Sequence, residues 1–560
     1  MVAMTQVFDG IGTRRRLIEQ EYPTWEPKAL HVHFDAMVER HGQRPYIVTD
    51  DRELSYAETQ ELSRRYAAGL QKIGVRAGDR VGVLMANHPE LAILKFAISR
   101  IGAVAVGFNF QLRTEELKYV LDHSGCKVLI SMSSHDGIDY QDLLDEIDSG
   151  WRDGKPKELP RLERVVLLPC GEDSPGEVMT LQDLAAGDAL YSEAPVDPYA
   201  PSDILYTSGT TGKPKAVVLS HDSLLRSAFA SAFTRAFEDG WRVLFALPLY
   251  HVFAYAEGLL AVTYVGGAIV PRLKFSAKDH LEAIARHGAN DVLAVPTMTI
   301  SLLEHPDIEQ YDLSSLKAFF SAAAPCPDWV WTQVVERLKV TELVTGYGMT
   351  ELCGAVALTL PEDPLERLTQ VVGRIKMGGP AAYQPNGDVC SLRMLDPETG
   401  DALELGQAGE LAWKGNVMTV GYWDGERVEP VGGDGYLPSG DLGFIDENGY
   451  IVITGRSKDI YKSGGELVLP IEVENFIARL DGVAQCYVIG VPDDRWGEVG
   501  HAYVVPLPGA TVNPERIIIE CKSNLARFKV PKMVTIVSAD ELPKTATGKV
   551  QKFRMREGSQ

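Results

Sequence analysis

The first half of the chain alternates apolar segments of two different periods. Residues 56–72 repeat apolar side chains at helical spacing, and Ser55 and Glu58 form an S-x-x-E capping box at the start of this segment. The pattern then predicts strands and helices in alternation, at 81–85, 91–101, 104–106, 114–124 and 128–130. Gly125 stands where the C-terminal stop of a helix belongs. This alternation predicts an α/β fold with largely parallel sheets.

The second half of the chain has a different pattern. Between 370 and 450, frequent glycines and short apolar runs at 410–413 and 450–454 predict antiparallel β-structure, which we interpret as a small β-barrel. The C-terminal residues predict a compact α+β unit, with strands and one helix at 483–489, 502–505, 513–526 and 533–537. A glycine and a charged run place the domain boundary after residue 455, which gives domains of 1–455 and 456–560. The uncharged segment 258–271 is too short to cross a bilayer and predicts a buried strand pair.

Composition and charge limit the possible functions. A chain of 560 residues is too long for one hydrophobic core, so at least two domains are expected. The formal net charge of -22 disfavours nucleic-acid binding, which needs a basic surface, although a local basic pocket can still hold an anionic substrate. The basic run Arg14–Arg16 is interpreted as a solvated surface or a frayed end.

The N-terminus lacks the apolar core of a signal peptide, and no stable membrane insertion is expected. The seven cysteines are an odd number and contain no C-x-x-C pair. They indicate reduced thiols in a cytoplasmic protein, rather than a disulfide framework or a zinc site.

The strongest candidate for chemistry is the segment 206–215, with the sequence Y-T-S-G-T-T-G-K-P-K. Its glycines let the backbone approach an anion closely, its hydroxyls add donors and its lysines supply charge for phosphates. It is not a Walker A loop, because two residues separate its glycines and Pro214 follows Lys213. The flanks 203–206 and 216–219 predict a strand–loop–strand hairpin that binds phosphate, which disfavours a kinase or GTPase. The alternative is an ordinary polar hairpin turn without a role in phosphate binding.

This loop resembles the phosphate loop of the adenylate-forming superfamily, which includes acyl-CoA synthetases, luciferase-like enzymes and adenylation domains of peptide synthetases. The similarity covers residues 30–555, and further motifs follow in the family's order. These motifs are S-A-A-A-P at 321–325, G-Y-G-M-T-E at 346–351, S-G-D-L-G at 439–443, G-R-S-K-D at 455–459 and P-K-T-A-T-G-K at 543–549. The resemblance implies a large N-terminal domain of two βα-layered subdomains plus a small β-barrel, and a small mobile α+β C-terminal domain.

The resemblance also implies roles for individual residues. ATP and AMP would be bound by Thr207, Ser208, Gly209, Thr210, Thr211, Gly212, Lys213, Lys215, Ala323, Ala324, Pro325, Gly346, Tyr347, Gly348, Met349, Thr350, Asp441, Arg456 and Lys549. Glu351 would hold Mg²⁺, a hard cation that takes oxygen ligands. The implied catalytic residues are Thr350, Glu351, His251 and Lys549, of which Lys549 would stabilise charge that builds up on the α-phosphate.

The acyl side and the acceptor side are assigned in the same way. The resemblance places the acyl pocket at Tyr250, His251, Val252, Phe253, Val295 and Ala322, and CoA binding at Lys462, Ser463, Gly464 and Gly465. Lys458 matches the hinge about which the C-terminal domain turns. Because the pocket segment, which also includes Tyr255, is apolar and aromatic, we predict a lipophilic acid, aliphatic or ring-bearing, rather than acetate.

Together these assignments predict an acid–thiol ligase that uses ATP, Mg²⁺ and CoA. The acid and ATP would form an acyl-AMP and pyrophosphate, and CoA would then take the acyl group. One alternative is an acyl-AMP ligase that loads a carrier protein in trans, and another is a non-catalytic nucleotide-binding homologue that keeps the fold. We expect a cytoplasmic monomer or homodimer that acts on a small-molecule carboxylic acid and binds no nucleic acid.

Overall fold

The computed structural model describes residues 2–171, 176–187, 190–193, 195–207, 214–404, 406–507, 509–544 and 550–557, with side chains from residue 10 onward. The chain divides into two compact units. The larger unit comprises Met1–Leu368, Ile375–Ser391 and Lys414–Gly435, and the smaller comprises Thr369–Arg374, Leu392–Trp413 and Tyr436–Gln560. The predicted boundary after residue 455 falls inside the strand Ile451–Arg456, so the smaller unit begins earlier in the chain than the predicted C-terminal domain.

An eight-stranded sheet in the larger unit carries the predicted phosphate hairpin. Its strands lie in the order Val428–Glu429, Gly421–Trp423, Lys215–Ser220, Pro201–Thr207, Val104–Phe108, Arg80–Leu84, Val128–Met132 and Arg164–Leu168. The last five strands of this order are parallel to one another, as the alternating pattern predicts. The hairpin and the strand Gly421–Trp423 add an antiparallel edge.

A second, seven-stranded sheet in the larger unit is also largely parallel. Its order is Glu342–Val344, Ala318–Ser321, Asp291–Ala294, Arg242–Phe245, Ala268–Pro271, Pro45–Val48 and Glu53–Ser55. Smaller β-elements of this unit are the paired strands Ser134–His135 and Ile138–Asp139, and the pair Gly346–Met349 and Gly354–Leu358. The two large sheets, each accompanied by helices, match the predicted pair of βα-layered subdomains.

Helices accompany the strands of the larger unit throughout. The α-helices are Val2–Glu21, Leu30–His41, Tyr56–Lys72, Pro89–Arg100, Thr114–Ser124, Tyr140–Asp148, Leu181–Ala185, His221–Thr234, Val252–Ala254, Ala277–His287, Pro296–Leu303, Asp328–Leu338 and Arg367–Gln370. Shorter 3-10 turns occur at Ser149–Asp153, Ala261–Val265, Ile308–Gln310, Thr350–Leu352 and Gly379–Ala381. Within the described residues, none of the helices combines the length and the apolar composition that crossing a membrane would require.

Local sequence signals account for several helix ends. The predicted capping box is formed, because the Ser55 side chain accepts from the Glu58 N–H and the Glu58 side chain accepts from the Ser55 N–H. The predicted helix at 114–124 has the bounds Thr114–Ser124, and Gly125 ends it with φ of 57°. Only a residue that tolerates the left-handed region can end a helix in this way without strain, which explains the glycine.

Two predictions about this unit are wrong. The segment 258–271 is not a strand pair: it completes the π-helix Tyr255–Leu260, continues as the 3-10 turn Ala261–Val265 and ends in one strand. Burial on all sides makes a helix as apolar as a strand, so period alone cannot separate them. The basic run is neither a frayed end nor solvated throughout: Arg14 is 9% exposed and bonds Glu342 at 2.7 Å, Arg15 bonds Glu362 at 2.9 Å, and Arg16 alone of the three is exposed.

The smaller unit contains one antiparallel sheet and one mixed sheet. The first has the order Cys390–Leu395, Gly409–Gly415, Leu437–Ile445 and Ile451–Arg456. A closed barrel would require its two outer strands to pair with each other, and within the described residues they do not. The second has the order Glu466–Val468, Tyr461–Ser463, Gly497–Pro506 and Val483–Asp493, and Met533–Ile536 pairs in parallel with Gly497–Pro506. The helices are Pro470–Ile477, Pro514–Asn524 and Lys552–Glu557, with 3-10 turns at Arg527–Lys529 and Ala539–Glu541.

Candidate active site

The predicted phosphate hairpin is present up to its tip. Strand Pro201–Thr207 pairs antiparallel with Lys215–Ser220, and Thr207 lies opposite Lys215. Ala216–Ser220 are buried, whereas Lys215 is exposed at the mouth of the hairpin. The predicted phosphate ligands at the tip, Ser208, Gly209, Thr210, Thr211, Gly212 and Lys213, lie outside the described residues.

The carboxylate proposed to hold a metal, Glu351, is buried and connected to this hairpin. It lies in the 3-10 turn Thr350–Leu352, and the Tyr422 hydroxyl donates to its Oε1 at 3.2 Å. Lys215 Nζ stands 5.2 Å from the centroid of the Tyr422 ring. Burial raises the pKa of the Glu351 carboxyl, and its backbone, the Tyr422 hydroxyl and the Lys215 charge oppose that rise.

Thr419 is a second residue that joins these elements. Its N–H donates to the Glu351 carbonyl oxygen at 2.7 Å, and its hydroxyl donates to the Val218 carbonyl oxygen in the hairpin at 2.6 Å. Sequence reasoning missed both Thr419 and Tyr422, which lie about seventy residues after Glu351 and match no motif. The aromatic pair Tyr422-Trp423 within a glycine-rich segment is the one local feature that could have drawn attention to them.

The motif Gly346–Glu351 begins as a strand. Strand Gly346–Met349 pairs with Gly354–Leu358, and a Cβ at Gly348 would lie 2.0 Å from the Gly354 carbonyl oxygen. Glycine is therefore required by close backbone approach. Tyr347 and Met349 are half-buried and Thr350 is buried, so the motif combines one apolar ring with a hydroxyl beside the Glu351 carboxylate.

The loop S-A-A-A-P extends from the end of strand Ala318–Ser321. Ser321 is buried and its hydroxyl lies 2.9 Å from that of Thr299. Ala322 is buried, while Ala323, Ala324 and Pro325 are exposed. Ala323 has φ of 74°, a left-handed conformation that a residue with a Cβ adopts at a cost.

The predicted acyl-pocket side chains lie in one apolar cluster. Val252, Phe253, Val295 and Ala322 are all buried members of it. The Phe253 ring meets the Phe320 ring edge-on, with centroids 5.1 Å apart. Tyr255 is fully buried, and its hydroxyl donates to Asp203 at 3.2 Å, so the polar end of this side chain already has a partner in the core.

Tyr250 and His251 stand at the start of this segment. The Tyr250 hydroxyl donates to Asn109 Oδ1 at 2.9 Å, and burial raises its pKa. His251 Nδ1 accepts from the Phe253 N–H at 3.3 Å and so caps the helix Val252–Ala254. Because Nδ1 acts as an acceptor, the neutral imidazole carries its proton on Nε2.

The acyl segment also packs against the chain just beyond Glu351. A Cβ at Gly354 would lie 2.9 Å from Glu257 Oε1 and 3.7 Å from the Val252 carbonyl oxygen. Gly354 has φ of 111°, and the preceding residue, Cys353, has φ of 55°. The Ala355 N–H donates to Glu257 Oε1 at 3.0 Å, so the helical segment after the predicted acyl residues contacts the strand that follows the Glu351 turn.

In the smaller unit, the structure brings Asp441 and Arg456 together. They are register partners on neighbouring antiparallel strands, and Arg456 Nε lies 2.9 Å from Asp441 Oδ1. Asp441 is buried, while the Arg456 side chain is 42% exposed. Lys458 lies in the exposed turn that follows.

The predicted CoA segment Lys462–Gly465 is a tight hairpin. It joins strand Tyr461–Ser463 to strand Glu466–Val468, and its glycines have φ of 62° and 88°. A Cβ at Gly464 would lie 2.7 Å from the Trp496 ring, so this position needs glycine for conformation and for space. Lys462 is exposed, and Ser463 is buried.

The predicted catalytic lysine, Lys549, lies outside the described residues. Its flanks are described: Lys544 and Val550 form an antiparallel bridge, and the Gln551 N–H donates to the Pro543 carbonyl oxygen at 2.8 Å. The described residues on either side of 545–549 are thus paired with each other.

Comparisons with known proteins support the family resemblance. Residues 34–423 match the family described as AMP-binding enzyme, and residues 472–549 match the AMP-binding enzyme C-terminal domain. A Mycobacterium tuberculosis CoA ligase, named for a propanoyl group on a methyl-dioxo-octahydroindene ring system, is 33% identical over 527 residues, which are 93% of this chain and 97% of the relative.

Two further similarities also cover most of both chains. The mitochondrial medium-chain acyl-CoA ligase ACSF2 of Mus musculus is 31% identical over 93% of this chain and 86% of the relative. The crystal structure of the anthranilate CoA ligase AuaEII with anthranoyl-AMP superposes with a TM-score of 0.82 at 26% identity, over 95% of this chain and 97% of that one. The chain therefore belongs to the AMP-binding enzyme family and, within the adenylate-forming superfamily, to the acyl-CoA synthetases, which are acid–thiol ligases.

Proposed function

We propose that this enzyme activates a lipophilic carboxylic acid, aliphatic or ring-bearing, as an acyl-AMP and then transfers the acyl group to CoA. The observation that carries the proposal is that the apolar cluster around Phe253 reaches the strand that follows the Glu351 turn, where the Ala355 N–H donates to Glu257 at 3.0 Å. An acid whose apolar part lies in that cluster would present its carboxylate beside the nucleotide motifs. Acetate would leave most of such a wall uncovered.

ATP would bind between the phosphate hairpin and Glu351. Two features of Glu351 suit a divalent cation: its carboxylate offers oxygen ligands, and it is buried. Mg²⁺, when bound, would neutralise phosphate charge during nucleotidyl transfer. Tyr422 would orient the carboxylate through the bond to Oε1, and Thr419 would hold the backbone of the turn.

In the first step, a carboxylate oxygen attacks the α-phosphorus in line and the bond to pyrophosphate breaks. No base is needed, because the acid is already ionised near neutral pH. Lys549 would stabilise the charge that shifts onto the α-phosphate oxygens. His251, fixed by its cap bond to the Phe253 N–H, would contact the substrate rather than accept a proton.

In the second step, the C-terminal part of the chain would turn about Lys458, and the CoA thiolate would attack the acyl carbonyl carbon. The bond to AMP breaks and AMP leaves with the electron pair. The hairpin at Gly464 and Gly465 would line the approach of CoA. Asp441 would accept hydrogen bonds from the ribose hydroxyls, with Arg456 nearby.

The test is a panel of acids, including acetate and medium-chain, aromatic and polycyclic acids, assayed for hydroxylamine-trapped acyl groups. Mass spectrometry of CoA reactions should then detect the acyl-CoA. Pyrophosphate release should fall about 10²–10³-fold in Lys549→Ala, and the neighbouring Lys544→Ala should lose much less. An undiminished rate in Lys549→Ala would mean that the active site is elsewhere, and acyl-AMP without acyl-CoA would favour transfer to a carrier protein.

The proposal includes a cytoplasmic location and a monomeric or homodimeric state. All seven cysteines are free thiols, and burial raises the pKa of most of them, which suits a reducing compartment. Localisation of a tagged full-length chain and its sedimentation velocity would test these two points.

A further inference from the structure

The turn around Lys458 is held by hydrogen bonds on both of its sides. On the upstream side, the Ser457 N–H and the Ser457 hydroxyl both donate to the Gly440 carbonyl oxygen, at 2.9 and 3.1 Å. Gly440 lies in strand Leu437–Ile445, which pairs with strand Ile451–Arg456. The backbone up to Ser457 therefore belongs to that four-stranded sheet.

On the downstream side, the two peptide carbonyls after the hinge are bound by one guanidinium group. Arg556 Nη1 donates to the Lys458 carbonyl oxygen at 3.2 Å, and Arg556 Nη2 donates to the Asp459 carbonyl oxygen at 3.1 Å. The planar fork of arginine suits two acceptors that point the same way, which a lysine cannot satisfy with equal geometry.

Arg556 is itself well anchored. It lies in helix Lys552–Glu557, seven residues after Lys549. Lys552 bonds the buried Glu474 at 2.5 Å, and Glu474 also accepts from the Val488 N–H at 2.6 Å. Met555 is buried in a cluster with Ile489 and Leu542. The helix is thus fixed to the same body that contains the base of the loop 545–549.

These two sets of bonds define which torsions stay free. A carbonyl oxygen lies on the C-terminal side of its own ψ torsion, so the Lys458 oxygen moves with the chain that follows it. Between the two anchored groups lie ψ of Ser457 and φ and ψ of Lys458. A backbone bond from the Asp459 N–H to the Arg456 carbonyl oxygen, at 3.1 Å, spans these torsions, and a rotation about them would break it.

We propose that Arg556 is a positioning residue that fixes the chain after the hinge to the terminal helix, and so confines rotation to Ser457 and Lys458. This inference rests on the proposed function, in which Lys458 is the hinge and Lys549 acts in adenylation. Without Arg556, the hinge would flex over further residues. Lys549 would then reach the α-phosphate in a smaller share of molecules.

The first test is structural and needs no substrate. Trypsin cleaves after Lys458, at the peptide whose carbonyl oxygen Arg556 binds. Losing hydrogen bonds to a charged group should raise the locally open population, and cleavage at Lys458, about tenfold or more in Arg556→Ala. Arg556→Lys should lie in between, and Arg554→Ala, which changes an exposed arginine of the same helix, should match the wild type. Equal cleavage in Arg556→Ala and wild type would overturn the inference.

The second test asks whether Arg556 acts through Lys549. Pyrophosphate release should fall about tenfold in Arg556→Ala and recover in part in Arg556→Lys. In a Lys549→Ala background, Arg556→Ala should cost little more, because the residue it positions is gone. Equal losses in both backgrounds, or no loss in either, would overturn the positioning role. A wild-type enzyme that adenylates no acid would overturn the proposed function instead, and the trypsin result would still decide the hinge contact.

Discussion

Each unit buries a glutamate–lysine ion pair, and the two pairs differ in how completely they are enclosed. In the larger unit, Glu257 and Lys376 are both 0% exposed, with Oε1 and Nζ 3.1 Å apart. In the smaller unit, Glu474 is 8% exposed and Lys552 is 17% exposed. Burial of a charge pair costs desolvation that only good hydrogen bonding offsets, so each pair should be judged by its partners.

The enclosed pair joins the acyl segment to the Glu351 segment. Glu257 lies in the π-helix that follows the predicted acyl residues, and its Oε1 also accepts from the Ala355 N–H at 3.0 Å. Lys376 donates to the Ser227 carbonyl oxygen at 3.0 Å, and burial lowers its pKa. The wall of the proposed acyl pocket is therefore held in place by a fully bonded polar network.

The less enclosed pair joins a terminal helix to its own unit. Lys552 follows the loop 545–549 by three residues, and its partner Glu474 lies in helix Pro470–Ile477. The comparison indicates a division of roles: charges in the larger unit fix the wall of the proposed pocket, and charges in the smaller unit fix the terminal helix. Four pairs of substitutions sharpen the comparison of the two units.

The largest expected effect is on the stability of the larger unit. Lys376→Met leaves the Glu257 charge buried without its cation, which should lower the free energy of unfolding by about 3–5 kcal/mol. Urea unfolding followed by tryptophan fluorescence would measure it. The double variant Glu257→Gln with Lys376→Met removes both charges and should regain most of the loss. If the double variant is as unstable as the single one, the network depends on packing and not on the ion pair.

Lys552→Met should have a smaller effect, confined to the smaller unit. Because the lysine is partly exposed, water can replace it, and the stability of the smaller unit should fall by about 1.5–3 kcal/mol. Hydrogen exchange of amides in helix Pro470–Ile477 would report it. Lys522→Met, at an exposed position on another helix, should change stability by less than about 0.5 kcal/mol. Equal exchange in both variants would show that the Glu474 bond contributes nothing.

Acid should destabilise the larger unit more than the smaller unit. Burial lowers the pKa of His31 and of His33 to about 3, from about 6.5 when unfolded. Such groups add stability that is present above the unfolded pKa and is lost as pH falls toward 3, by about 2 kcal/mol for each at pH 5. In His33→Gln, the free energy of unfolding should therefore fall less between pH 7 and pH 5 than in the wild type, by about 2 kcal/mol. His501→Gln, in the smaller unit, should change it far less, and a reversal of that order would contradict the assignment.

The smallest effect concerns backbone strain, which the described residues store in the larger unit. The non-glycine residues with positive φ are Asp136, Ala236, Ala323, Lys339 and Cys353. Ala323→Gly should relieve strain and raise the free energy of unfolding by up to about 1 kcal/mol. Ala324→Gly, next to it and without positive φ, should lower stability by up to about 1 kcal/mol. The same sign for both would mean that the conformation of Ala323 carries no cost.

Predictions from the sequence succeeded where a local pattern is sufficient. The bounds of helix Thr114–Ser124, the capping box at Ser55 and the strands of the hairpin at 206–215 depend on neighbours within a few residues. They failed where burial removes the amphipathic pattern, as at 258–271, and where a distant partner neutralises a charge, as for Arg14. A basic run is a solvated face only if no carboxylate folds against it.

The sequence by itself determined the α/β alternation, the order of the nucleotide motifs and the position of the phosphate hairpin, because each is written within a short segment. The tertiary structure decided which residues serve those motifs. Tyr422 bonds a carboxylate 71 residues away, and Lys376 bonds one 119 residues away. No local period encodes such contacts, because they exist only once separate elements have packed and excluded water around their polar groups.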